Sequence, residues 1–103
     1  MINVKIIVSD DTYNISAQGH ALFNPGNDIV CSAVSALFYA FAGFLHNDSK
    51  TRRSNIYLDS GDAKIKAKGD IRQAFDVFII GLLQIEKAYP SFIHIELNEN
   101  SLP

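Results

Sequence analysis

The sequence predicts an α+β domain of two layers, a mainly antiparallel sheet with two helices on one face, in the order β-β-α-β-β-α-β. Three observations carry this. Several short stretches alternate apolar and polar residues, the period of a half-buried strand. Two longer stretches instead repeat apolar residues every three or four positions, the period of a helix with one face on a core. Clusters of Asp, Ser and Gly separate the alternating stretches into hairpins. With 103 residues the chain has enough material for one core and too little for two, so residues 1–103 are read as a single domain.

Ile2, Val4, Ile6 and Val8 alternate with polar neighbours, Ser9-Asp10-Asp11-Thr12 is a turn, and Tyr13, Ile15 and Ala17 alternate again, which makes a hairpin. His20 to Asn27 is a loop flanked by Gly19 and Gly26. A helix follows, capped by Asn27 or Asp28, with Val30, Val34, Leu37, Phe41 and Leu45 toward the core. Its remaining surface is also apolar (Ile29, Ala33, Ala36, Phe38, Ala40, Phe44), so it is expected to lie centrally or to join a dimer interface. His46 to Thr51 reads as a polar connector, Asn55 to Leu58 as a short strand, Asp59-Ser60-Gly61-Asp62 as a hairpin turn, and Ala63 to Lys68 as the returning strand. Lys64, Lys66 and Lys68 share one face of that strand. A solvated edge is the favoured reading, and a dock for an acidic or phosphate-bearing partner the lesser one. Asp70 is expected to cap a second helix with Gln73 in a capping box. Ile71, Ala74, Phe75, Phe78, Ile79, Leu82 and Leu83 form its stripe, and Pro90 stops it. Phe92 to Leu97 alternates as a last strand, and Asn98 to Pro103 is expected to fray.

Composition narrows the function. A formal net charge of -2 argues against a general nucleic-acid binder, so no direct nucleic-acid partner is expected. One cysteine cannot make an intramolecular disulfide, and the N-terminus lacks the basic and apolar regions of a signal peptide. The apolar run from Ile29 to Leu45 falls short of a membrane span of about 20 residues. A cytoplasmic protein without a membrane partner is the expectation. The histidines are scattered and no glycine loop suits a phosphate, so neither a metal nor another cofactor is expected.

Chemistry concentrates in the stretch from Gly19 to Ser35, which holds the lone Cys31 and one histidine, His20. A lone cysteine is more often a small apolar core residue. Here it falls in the first turn of a helix, where unsatisfied N–H groups favour a thiolate and could form an oxyanion hole. At about 100° per residue, Asp28, Cys31 and Ser35 share a sector away from the apolar stripe. His20, at a strand end, suits the general base that takes the thiol proton and later protonates the leaving amine. A loop histidine is more often simply solvated, Asp28 is first a helix-start residue, and Ser35 could bond only to its own helix.

The block Gly19-His20-Ala21 followed by Gly26-Asn27-Asp28-Ile29-Val30-Cys31-Ser32-Ala33-Val34-Ser35 resembles the bacterial ribosomal-processing cysteine protease family, Prp. The family pattern is G-H-A, a short loop containing glycine, then D-I-V-C-A-A-V-S; this chain departs from it with Ser32 in place of alanine. The resemblance implies a cysteine endopeptidase with Cys31 as nucleophile and His20 as base, and with Gly19, Asp28 and Ser35 as supporting or substrate-binding residues. It further implies a homodimer with a mobile loop over the site. The implied substrate is the N-terminal extension of a large-subunit ribosomal protein, or a related viral or mobile-element protein, cut after a hydrophobic, aromatic-rich motif. Leu22, Phe23 and Phe38 are candidates to line a pocket for aromatic substrate side chains. The rival reading is a non-catalytic homodimeric module that binds a ribosomal or assembly partner, with Cys31 structural.

Overall fold

A computed structural model of the chain describes residues 1–24 and 26–100. The expectation for Pro25 in the loop, and for residues 101–103 in the tail, lies outside the described residues. The element order is the expected one: β1 (Ile2–Ser9), β2 (Thr12–Gln18), α1 (Ile29–Asn47), β3 (Thr51–Asp59), β4 (Asp62–Gly69), α2 (Arg72–Ala88) and β5 (Ile93–Asn100). Among the described residues the strands form one sheet in the order β3-β4-β2-β1-β5. The β1–β2, β2–β4 and β3–β4 pairings are antiparallel, whereas β5 joins β1 in parallel.

Alternation decides which strand face is dry. Ile2, Val4, Ile6 and Val8 of β1, Tyr13, Ile15 and Ala17 of β2, and Ile65 and Ala67 of β4 point into one layer and are buried. The helices cover that layer with α1 toward β3 and α2 toward β5, and they also pack on each other. Phe38, Phe41, Phe75 and Phe78 knit them together: Phe41 stacks on Phe78 at 4.7 Å, and Phe38 meets Phe78 edge-on at 5.1 Å. Fully burying one such ring contributes about 1.5–3 kcal/mol by transfer alone. The dry layer therefore accounts for most of the fold's stabilisation.

Five expectations need correction. Asp70 does not cap α2. The helix begins after Ile71, which makes no side-chain cap and is itself buried, so burial of Ile71 outweighs the capping box. The lysine-bearing strand β4 is solvated on one face but is not an edge, since it lies between β3 and β2. Alternation reports a strand's faces and says nothing of its neighbours. β3 is longer than expected because its polar first half pairs with β4 through a bulge between Thr51 and Arg53; His46 and Asn47 belong to α1 rather than to the connector. Asn98 to Asn100 do not fray, being paired with Ile7 to Ser9. Finally, α1, with 19 residues and a mean hydropathy of 1.8, is long and apolar enough to cross a membrane by length and composition. In this fold its Val30, Val34, Phe38, Phe41, Ala42 and Leu45 are buried in the core instead.

Candidate active site

The N-terminus of α1 is built by Asp28. In extended conformation, its carboxylate Oδ1 accepts from the backbone N–H of Val30 and of Cys31, both at 3.0 Å, closing the helix start. The other oxygen, Oδ2, accepts from the Phe23 N–H at 2.9 Å. One carboxylate thus ties the loop after β2 to the first turn of the helix. The N–H of Cys31, followed by that of Phe23, holds the Asp28 carboxyl below the usual carboxylate range.

The cap changes the expected use of the helix amides. With Val30 and Cys31 N–H spent on Asp28, and Ser32 N–H bonded to the Asp28 carbonyl at 3.0 Å, the amides around Cys31 do not form an open oxyanion hole. The donor beside the sulfur comes from the loop: the Ala21 N–H lies 3.3 Å from Cys31 Sγ. Ala21 is buried, so the loop is anchored within one residue of His20.

Cys31, Ser35 and Phe38 of α1 line a cleft of about 310 Å³ together with Gly19, His20 and the tip of the β3–β4 hairpin. Cys31 is half-buried and Ser35 exposed, one helical turn apart on the same side. Asp28 does not line the cleft. The His20 ring rests on the hairpin, where a Cβ built on Gly61 would lie 2.7 Å from Nε2. Gly61 has a φ of +73° and Gly19 of +99°, and the Gly19 N–H donates to the Gly61 carbonyl at 3.0 Å. Glycine at 61 leaves room for the His20 ring, and glycine at 19 lets the end of β2 pass close to the Met1 carbonyl. Among the described residues no hydrogen bond joins His20 to Cys31; the sulfur is occupied by Ala21. A catalytic pair is often open before substrate arrives.

The structure thus brings together Gly19, His20, Cys31 and Ser35, and leaves Asp28 as the brace behind them. Of the three residues expected to form an aromatic pocket, Phe38 lines the cleft. Phe23 turns away and packs edge-on against Tyr89 at 5.4 Å and Phe92 at 5.1 Å, and Leu22 is exposed. Edge-on packing of the partly exposed Phe23 ring against the α2–β5 junction anchors the loop. Sequence reasoning missed Tyr39 on the α1 side of the cleft and the opposite wall of Leu58, Asp59, Ser60, Asp62 and Ala63. Asp62 Oδ1 is buried there without a hydrogen-bond partner among the described residues. The available clue was register. If β4 pairs with β2 so that Asp62 faces Gln18, the residues after Gln18 must meet the hairpin tip.

The chain is similar to known proteins in sequence and in fold. The family model described as "Cysteine protease Prp" matches residues 1–94. The ribosomal processing cysteine protease Prp of Mycoplasma genitalium is 33% identical over 100 residues, covering 95% of this chain and 97% of the relative. The Mycoplasma pneumoniae protein of the same name is 28% identical over 95 residues, or 90% and 93% of the two chains. Among solved structures, the ribosomal processing protease Prp from S. aureus with a covalently linked product peptide superposes with a TM-score of 0.78 at 22% identity. That match covers 95% of this chain and all of the other.

Proposed function

The chain belongs to the Prp family of cysteine proteases and is a cysteine peptidase, and from that premise we propose that it cuts a ribosomal protein using Cys31 and His20 as its dyad. The observation that supports this most is the shared cleft, with a half-buried thiol on a helix start and an imidazole on the facing wall. In this reading substrate draws the His20 ring from Gly61 toward Cys31. The imidazole accepts the thiol proton, and Sγ attacks the scissile carbonyl carbon. The C–N bond then breaks as the imidazolium returns its proton to the leaving amine. Water attacks the resulting thioester with His20 again as base, releasing the acid and restoring the thiol. The Ala21 N–H, released from the sulfur as the thioester forms, is the donor best placed to meet the oxyanion. Ser35 and Gly19 shape the cleft around the peptide, and Asp28 holds the loop in reach.

The proposed substrate is the N-terminal extension of a large-subunit ribosomal protein, cut after a hydrophobic, aromatic-rich motif. Relatives named for ribosomal processing support the substrate class, and the apolar floor at Phe38 suits such side chains. The proposed place of action is the cytoplasm, the setting that relatives named for ribosomal processing favour. A homodimer is supported by the outer side of α2, where Val77 and Ile80 are 66% and 57% exposed.

A quenched fluorescent peptide carrying an aromatic-rich cleavage motif tests the dyad. Cleavage should fall to background in Cys31→Ala and by several orders of magnitude in His20→Ala, with both variants folded by circular dichroism. Cleavage by Cys31→Ala at the parent rate would overturn the assignment.

A further inference from the structure

Among the described residues no element covers the sheet face turned away from the helices, and this face gathers cations. Lys5, Arg53, Lys64, Lys66 and Lys68 all project from it, five of the nine Lys and Arg in a chain whose net charge is -2. Register sets Lys5 and Lys64 on either side of Ser16, with Lys66 beside Asn14 and Lys68 beside Arg53. None of the five forms an ion pair among the described residues. The carboxylates near this face are Glu96 next to Lys5, Asp11 within reach of Lys68, and Asp59 opposite Asp62 at the hairpin tip, where Asp59 accepts from the Tyr57 hydroxyl at 3.3 Å.

We propose that this face binds single-stranded RNA. Lys64, Lys66 and Lys68 stand about 7 Å apart along one strand, a row that can follow a phosphate backbone. Between the cations lie Asn14, Ser16 and Asn55, side chains that donate and accept hydrogen bonds to base edges and ribose hydroxyls. Tyr57, 50% exposed and next to Lys64, offers a ring on which a base can stack. A groove of about 380 Å³ runs among Lys5, Ile7, Tyr57, Lys64 and Lys66. The face has too little apolar surface to enter a bilayer, and the exposed Tyr57 ring can stack on an unpaired base, which a closed duplex does not offer. Net charge concealed this surface because the acids lie mainly elsewhere. The catalytic cleft opens on the helix side, so the inference does not depend on the protease assignment.

The test is fluorescence anisotropy of the whole protein with a labelled 12-nucleotide single-stranded RNA of mixed sequence. Contact with about four phosphates gives a log–log salt slope near −2.8, about a 50-fold loss of affinity between 50 and 200 mM KCl. The double variant Lys64→Glu/Lys66→Glu should bind at least about 10-fold more weakly with a shallower slope, and should cleave peptide at the parent rate. Tyr57→Leu should weaken binding about 5-fold or more and leave the slope unchanged. Lys5→Gln/Lys68→Gln provides a second charge variant should the first fold poorly. No binding at 50 mM KCl would overturn the proposal, as would parent-like affinity in both charge variants. Equal affinity for duplex RNA, or displacement of the RNA by polyglutamate or anionic vesicles at equal charge, would overturn it too.

Discussion

Gly61→Ala is the substitution that most directly probes the cleft wall. The backbone there has a φ of +73°, where an L side chain costs about 1–2 kcal/mol. For a domain of this size that corresponds to a fall in Tm of about 5–10 °C. A second effect is local. The new Cβ would stand 2.7 Å from His20 Nε2, whereas ordinary contact begins at 3.4 Å, so the ring must give way by roughly 0.7 Å or leave the wall. A catalytic group misplaced by about 1 Å loses on the order of 10²-fold in rate. Peptide cleavage by Gly61→Ala should therefore fall by between about 10- and 100-fold in kcat/KM. A double-mutant cycle separates the two effects. In a His20→Ala background, the same change should lower Tm by the backbone strain alone. Parent-like kcat/KM in Gly61→Ala, with Tm lowered by the strain, would refute the idea that the hairpin sets the resting place of the imidazole.

Two further outcomes follow from the geometry. Asp28→Asn keeps an oxygen for the helix cap but sets an amide against the Phe23 N–H, so peptide cleavage should drop more than Tm does. Because its folded pKa is lowered, ionised Asp28 stabilises the native state fully above about pH 5. That stabilisation disappears as pH falls through the lowered value, so the acid limb of a Tm-against-pH profile should be shallower in the variant. Ile80→Asp, on the exposed apolar helix surface, should convert a sedimenting dimer into an 11.4 kDa monomer without loss of secondary structure. A parent protein that sediments as a monomer at micromolar concentration would refute the dimer.

The strands and helices were readable because burial here is one-sided: Ile2, Val4, Ile6 and Val8 declare their face by period alone. The Gly19–Ser35 block was readable because its parts are local, and Asp28 proved to be the cap that spacing suggested. What the sequence left open depends on pairing between distant strands. The wall at Asp59 to Ala63 exists only because β4 lies beside β2, a neighbour relation that no period records. The occupied amides at Val30 and Cys31 are likewise a matter of competition, since a carboxylate one residue before the helix claims them first. Phe23 looked like a pocket residue by composition, and its packing against Tyr89 and Phe92 depends on where α2 ends.

The parallel pairing of β1 with β5 bears on how the enzyme comes into being. Ile2 lines the cleft, and its N–H is held by the Phe92 carbonyl at 2.9 Å, a partner from the far end of the fold. Closing so long a loop is entropically slow, so this contact is expected late in folding, after the hairpins and helices have formed. The helix bearing the thiol can then exist before the cleft has its full set of walls. Proteolytic competence is thereby coupled to completion of the sheet, and a partly folded chain would hold a nucleophile without a finished place to use it.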